Sequence, residues 1–142
     1  MSDYSPKPGE LKLEVLTPEG RVFTGAAEAV TIPGREGQLG ILPRHSPMLV
    51  VLRAGVLKYR RQGQTGRMAV SGGICQVQEG RVLVLADAAE LAEHIDVLRA
   101  RAARDRALKR LRSRSAEVDE VRARAAFERA MARLRAAGAE KS

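Results

Sequence analysis

Four arginines in the last third of this chain are spaced so that their guanidinium groups can face one anion. Arg99 and Arg106 are seven residues apart, and Arg129 and Arg133 are four apart, so each pair shares one face if its segment is helical. Asp96, three residues before Arg99, lies on the face of the first pair. Arginine presents a planar fork of donors that matches phosphate oxygens. The spacing therefore permits four guanidinium groups on two helices to bind one triphosphate.

The charge of this region also has simpler interpretations. The net charge is +8; residues 1–94 hold 11 Lys and Arg against 10 Asp and Glu, whereas residues 95–142 hold 14 against 7. A solvated basic face with local pairs such as Asp96–Arg99 and Asp105–Lys109 explains this excess, and spacing alone favours it. A codon bias towards arginine is another explanation. Nucleic-acid binding is a third, but the first part is nearly neutral and only 3% of residues are aromatic, so few rings can stack on bases.

The remaining reactive residues form no catalytic or metal-binding pattern. The chain has two histidines, His45 and His94, and one cysteine, Cys75. Their spacing matches no zinc site, and the sequence lacks a P-loop, a G-x-S-x-G motif and a G-x-G-x-x-G motif. We therefore expect no enzyme activity, no required cofactor and no metal, and a small hydrolase has no residues to support it. Cys75 lies in a strand pattern, which predicts a small buried side chain.

The C-terminal third predicts two helices. From residue 87 to 111 there is no Gly or Pro, and strong helix formers dominate. A second helix is predicted to run to about Ala137 and to stop at Gly138, with capping residues in the segment 113–115 and acidic Glu117, Asp119 and Glu120 in its first turn. The predicted inner faces carry Ile95, Leu98, Ala102, Leu108 and Leu111 on the first helix and Val118, Val121, Ala125, Ala132 and Leu134 on the second.

The short connection makes the two helices antiparallel neighbours. Because their facing stripes are mostly alanine, they bury little area at ~25 cal/mol per Å². We therefore expect a hairpin of marginal stability that is able to open; an ordinary rigid hairpin is the alternative.

The first half predicts an all-β domain. Short strands are predicted at residues 11–16, 21–24, 27–32, 38–42, 48–52, 55–61, 67–71, 74–78 and 81–86. Gly- and Pro-containing turns separate them, and the segment SGG at residues 71–73 is predicted to be a tight turn. This spacing is typical of a β-sandwich or flattened barrel. No apolar run approaches the ~20 residues that span a bilayer, and the N-terminus shows no secretory signal.

Three motifs in order resemble the epsilon subunit of the F-type ATP synthase. They are GQLGILPRHSP at residues 37–47, SGG at 71–73 and VLADAAE at 84–90. The resemblance covers the chain after about residue 10. It implies an α+β protein with a β-sandwich of about ten strands at residues 11–87 and an antiparallel two-helix hairpin at 88–142. Residues 1–10 would be an N-terminal extension that need not be ordered.

The resemblance also implies partners. The subunit would lie in the central stalk, where its β-domain binds the gamma subunit and rests on the ring of c subunits. The alpha and beta subunits would contact the hairpin when it extends. It would be peripheral on the cytoplasmic face of the bacterial cell membrane, without inserting into it, and would bind no nucleic acid. The implied c-ring and gamma contacts are Gln38, Gly40, Ile41, Leu42, Pro43 and His45; many family members have Glu in place of Gln38.

The sequence IDVLRA at residues 95–100 resembles the motif of the bacterial epsilon subunits that bind ATP. ATP would then be a regulatory ligand rather than a substrate. The positions implied to contact it are Glu90, Ile95, Asp96, Arg99, Ala100, Arg106, Arg129 and Arg133. Arginines would face the phosphates, Ile95 and Ala100 would line the adenine or ribose side, and Glu90 and Asp96 would accept hydrogen bonds there. The alternative is the same subunit with a hairpin that does not sense ATP.

Overall fold

The computed structural model of the protein describes residues 6–113 and 119–140. Its β-domain holds eight strands and is followed by two helices, which confirms the predicted α+β class. The strands are β1 (Leu11–Thr17), β2 (Gly20–Ala27), β3 (Ala29–Gly34), β4 (Gly37–Ile41), β5 (Met48–Arg61), β6 (Gln64–Gln78), β7 (Arg81–Ala86) and β8 (Ala89–Leu91).

One continuous sheet forms both layers of the sandwich. Its order is β2-β1-β7-β6-β5-β3-β4, and β8 pairs with the first part of β6. The pairs are antiparallel except for β1 and β7, which lie parallel. The enclosed core is aliphatic, as the shortage of aromatic residues requires; its fully buried members include Leu13, Ile32, Leu57, Met68 and Val84.

The structure has eight strands where the resemblance implied about ten. The nine short strands predicted from the sequence become seven because two pairs are continuous, and β8 is an eighth that was not predicted. Residues 48–52 and 55–61 belong to β5, and residues 67–71 and 74–78 belong to β6. The prediction of a tight turn at 71–73 is therefore wrong. Gly72 and Gly73 have φ values of +88° and +123°, so they bend β6 without ending it. The bend lets one strand pair with β7 through Gly73 and then with β8 through Val70.

The first helix begins later than the sequence predicts. Strand β8 and a short 3-10 turn at Ala92–His94 come first, and α1 spans Val97–Arg112. Helix α2 spans Glu120–Ala136, and Gly138 ends it with φ +78°, as predicted. Its N-cap is Asp119, whose carboxylate accepts the amides of residues 121 and 122, whereas Ser113 caps the C-terminus of α1. Ser115, Glu117 and Val118 lie outside the described residues.

Helix α2 is the inner helix of the hairpin. It packs on β5 and β6, and α1 packs mainly on α2. Alanine does fill most of the interface: the buried helical residues are Ala100, Ala107, Ala123, Ala130, Ala132, Leu134 and Ala136. Leu98 and Val121 were placed on the wrong face, since they are 76% and 79% exposed. Alanine can occupy either face of a helix, so its period does not mark the buried one.

Residues 6–10 of the N-terminal extension are described. Within residues 6–10 the amide of Glu10 donates to the carbonyl of Lys7 at 2.9 Å. Residues 1–5 lie outside the described part. Within the described residues, neither helix is long and apolar enough to cross a membrane.

Cys75 is fully buried in the sandwich core, as predicted. Burial raises the pKa of its thiol to about 12. Because the thiolate is the nucleophile, we expect the native protein at pH 8 to react with a disulfide reagent about 1,000-fold more slowly than the chain in urea. Absorbance of the released thiol measures this. Fast labelling of native protein would show that the strands around Cys75 open locally.

Candidate functional site

A cavity between β8, α1 and α2 gathers most of the predicted ATP contacts. It measures about 500 Å³. Six of the eight predicted residues line it: Glu90, Asp96, Arg99, Ala100, Arg106 and Arg133. Its other lining residues, His94 and Ala103, were not predicted. Helical spacing indicates Ala103, which lies one turn beyond Arg99, whereas nothing in the sequence places His94 at the cavity.

The start of α1 is fixed by Asp96. Its carboxylate is the N-cap and accepts the backbone amide of Arg99 at 3.1 Å. This bond satisfies one of the free amides of the first turn and sets where the Arg99 side chain leaves the helix. Asp96 therefore contacts the backbone of Arg99. Asp105 was expected to pair with Lys109, but it pairs with Arg104 at 3.1 Å.

An ion pair joins the sandwich to the inner helix across the cavity. Arg133 Nε on α2 donates to Glu90 Oε1 on β8 at 2.8 Å. The two side chains are 31% and 41% exposed, so water screens the pair only in part and we expect a modest contribution to stability. Its location matters more, because it connects two elements that border the same cavity.

The remaining two predicted residues lie beside this cavity. Ile95 packs against the cluster formed by α2 and the sandwich. Arg129 lines an adjoining depression of about 270 Å³, which shares Ala103, Arg106 and Arg133 with the first. The two depressions form one groove, so the structure brings all four predicted arginines to it.

The groove offers several charged donors to an anion. Three arginines line the main cavity, and its two carboxylates are engaged by the Arg99 amide and the Arg133 guanidinium. Several guanidinium groups converging in this way suit a chain of phosphates. Among the described residues, no group of three or more His, Cys, Asp or Glu could hold a metal ion.

The predicted partner surface follows the edge strand β4 and the loop after it. Gln38 and Gly40 are exposed, Leu42 is 63% exposed, and Pro43 and His45 are half-buried. Ile41 is fully buried in the sandwich core, so its side chain supports this edge from inside and is not free to touch a partner.

A second surface, which was not predicted, is a row of apolar side chains across three strands. Val51, Ile74 and Leu85 face one another by register on β5, β6 and β7, and all three are exposed, as is Leu49 nearby. Contiguous exposed apolar residues mark binding surfaces. The sequence carries a signal for it, because these strands have apolar residues at both odd and even positions where a solvated face would alternate.

The chain matches two family models in succession. Residues 10–92 match the beta-sandwich domain of the ATP synthase delta/epsilon chain, and residues 93–138 match its long alpha-helix domain. A protein of Symbiobacterium thermophilum named ATP synthase epsilon chain is 53% identical over 108 residues, covering 75% of this chain and 78% of that protein. A protein of Desulforamulus reducens with the same name is 45% identical over 106 residues, covering 75% and 80%.

Solved structures resemble the fold as a whole. A chain of the mitochondrial ATP synthase of Euglena gracilis superposes with a TM-score of 0.78, at 24% identity, over 96% of this chain and 86% of that one. A chain from a structure of the central stalk and c-ring of the Tetrahymena thermophila mitochondrial enzyme gives 0.57, at 15% identity, over 89% and 96%.

Proposed function

This chain belongs to the ATP synthase delta/epsilon chain family and is a non-catalytic subunit of that enzyme, and on this premise we propose that it acts in the central stalk and senses ATP through its hairpin. The sandwich would join the gamma subunit to the ring of c subunits during proton-driven synthesis. The hairpin would regulate ATP hydrolysis. The protein would be peripheral, at the cytoplasmic face of the bacterial cell membrane.

Two surfaces of the sandwich support the stalk role. The row of Val51, Ile74 and Leu85 offers an apolar face for the gamma subunit, and the edge strand β4 with Leu42 offers a separate contact for the c ring or gamma. Gln38 of β4 lines a crevice with residues of α2, but the row of Val51, Ile74 and Leu85 shares no residue with the buried contact of α2, which is made through Val56 and Ala69. The subunit could thus stay attached to the rotor while its hairpin changes position.

The observation that carries the ATP proposal is the groove itself. Residues from β8, α1 and α2 must come together to form it, so a ligand bound there stabilises the closed hairpin against an extended one. A ligand at one hundred times its dissociation constant contributes ~2.7 kcal/mol. That is enough to control a hairpin that buries mainly alanine. Without ATP the helices would extend along gamma and contact the alpha and beta subunits.

Titration calorimetry of the whole subunit with ATP tests this proposal. We expect saturable binding at or below millimolar ATP. The variant Arg133→Gln should weaken it ~10- to 100-fold, the usual effect of losing a charge-assisted hydrogen bond. Arg135→Gln is the matched control, because Arg135 is exposed on the same helix and lines a different crevice, beside Glu128.

Two results would contradict the switch. If ATP shows no saturable binding, the hairpin does not sense ATP and the family membership is unaffected. If Arg135→Gln weakens binding as much as Arg133→Gln does, the groove attracts ATP only through the general charge of the helices.

A further inference from the structure

The far end of the hairpin contains a second cavity of almost the same size. It measures about 540 Å³, against about 500 Å³ for the first. It lies where α1 ends and α2 begins, and it is lined by Arg110, Asp119, Arg122, Ala123, Ala125, Ala126 and Arg129. The depression that holds Arg129 connects the two, since it shares residues with each.

The two cavities are built from an internal repeat. Residues 96–110 read DVLRARAARDRALKR, and residues 119–133 read DEVRARAAFERAMAR; nine of the fifteen positions are identical. Each copy therefore places arginines at the same three positions on one face of its helix. These are Arg99, Arg106 and Arg110 on α1, and Arg122, Arg129 and Arg133 on α2.

The two copies of the repeat are also alike in structure. Asp119 accepts the amide of Arg122 at 3.1 Å, just as Asp96 accepts the amide of Arg99 at 3.1 Å. The N-cap backbone angles are φ −85° and ψ 102° in one copy and φ −81° and ψ 100° in the other. The buried alanines also correspond, because Ala100 and Ala107 of α1 stand at the repeat positions of Ala123 and Ala130 of α2.

Antiparallel packing of two equivalent faces relates the ends of the hairpin by a local two-fold axis. At one end Arg99 and Arg106 of α1 line a cavity with Arg133 of α2. At the other, two arginines of α2, Arg122 and Arg129, meet Arg110 of α1. Among the described residues, three guanidinium groups from the two helices line each cavity, together with a capping aspartate and alanines.

The two ends differ in what surrounds the arginines. The first cavity has Glu90 from the sandwich and His94 beside it, and Glu90 pairs with Arg133. The described lining of the second has Asp119 as its only acidic residue, and Oδ1 of that carboxylate accepts the amides of Val121 and Arg122. The described lining contains no residue of the sandwich, and so no counterpart of Glu90 to accept a hydrogen bond from an adenine amino group or a ribose hydroxyl.

We propose that the cavity of Arg110, Arg122 and Arg129 is a second anion site, which binds a chain of phosphates and does not select the base. Its ligand class is an oligophosphate, either inorganic or the triphosphate part of a nucleotide. The choice of phosphate follows the ATP site of the proposed function, and the second cavity shares Arg129 with the residues expected to contact ATP there, whereas Arg110 and Arg122 are not among those residues. Because both helices contribute, occupation of this site also holds the hairpin closed.

Calorimetry of the whole subunit with inorganic triphosphate tests the proposal, with ATP as the second arm. We expect two equivalents of triphosphate to bind to the unmodified chain and one to each of Arg99→Gln and Arg122→Gln, with at least a 10-fold loss of affinity at the altered site. With Arg99→Gln, the remaining site should bind ATP within about threefold of inorganic triphosphate. Arg101→Gln and Arg124→Gln are the controls, since they are exposed, equivalent in the repeat and outside both cavities.

The outcomes separate this inference from the proposed function. One equivalent that Arg99→Gln abolishes and Arg122→Gln leaves intact would overturn the second site and keep the first. One equivalent that only Arg122→Gln abolishes would keep the second site and overturn the ATP site. Equal losses in Arg122→Gln and Arg124→Gln would overturn the second site, because they would show attraction by net charge alone. Circular dichroism of each variant confirms that the helices are intact.

Discussion

Replacing Ala132 by glutamate should release the hairpin from the sandwich while leaving the sandwich folded. Ala132 is 2% exposed and packs with Ala136 against Val56 and Ala69. Burying an unpaired carboxylate there costs several kcal/mol. The contact itself gains only ~0.8 kcal/mol for each buried methyl-sized group. Separation of α2 from the sheet is therefore the less costly response.

Hydrogen exchange measures the release. Amides of α1 and α2 should exchange at least ~100-fold faster, corresponding to a loss of ~2.7 kcal/mol, while the core around Leu57 and Met68 keeps its protection. ATP binding should be lost with it, because Glu90 and Arg133 no longer face one cavity. Val121→Glu adds the same charge to the same helix at a site that is 79% exposed and should change neither property. Uniform loss of protection in both parts would show that the hairpin and the sandwich unfold together.

Replacing Gly73 by alanine should destabilise the whole sandwich by more than ~4 kcal/mol, which is exceptional for one methyl group. The residue has φ +123°, where a side chain is strained by ~1–3 kcal/mol. A Cβ would also overlap the carbonyl oxygen of Leu85 on β7. Because Gly73 lies between β5 and β7 in the ladder, neither neighbour can move without breaking strand pairs.

The variant Gly20→Ala separates the effect of backbone strain from the effect of the overlap with Leu85. Gly20 has nearly the same φ, +126°, and a Cβ there meets no atom within 4 Å. It should therefore lose only the strain, ~1–3 kcal/mol. Urea unfolding followed by circular dichroism gives both free energies. If the two variants lose the same amount, the overlap with Leu85 is relieved by a small movement and the explanation from crowding is wrong.

The sequence predicted the sandwich and the hairpin because their signals are local. Turn residues separate the strands, and Gly138 marks the end of α2 where it was expected. The prediction of two strands separated by a turn at residues 71–73 was wrong because the glycines were interpreted as a turn. A long strand can bend through residues with left-handed φ and continue. The buried faces of the helices were misjudged at Leu98 and Val121, because alanine occurs on both faces of these helices and does not mark the buried one.

The candidate site was predictable in its helical part. Arg99 and Arg106 share a face by spacing alone, and the antiparallel hairpin brings Arg133 to them. The pair of Glu90 with Arg133 joins residues 43 apart on different elements, so it depends on the packing of α2 against the sheet. The repeat of residues 96–110 at 119–133 is visible in the sequence. The two cavities that it forms could not be predicted from the repeat alone, because they depend on the antiparallel packing of the two equivalent helix faces.

The alanine interface also determines how the hairpin responds to temperature. The heat-capacity change of a transition scales with the apolar surface that it exposes, at about 0.45 cal/K/mol per Å². Separating faces that consist mainly of methyl groups exposes little such surface. The enthalpy of opening then varies only weakly with temperature. The free energy of opening therefore changes almost linearly with temperature, whereas a larger hydrophobic interface would give a curved dependence. A rotor subunit built in this way would keep a similar balance between closed and open hairpin over the growth range of its host, and the anion concentration would remain the principal control.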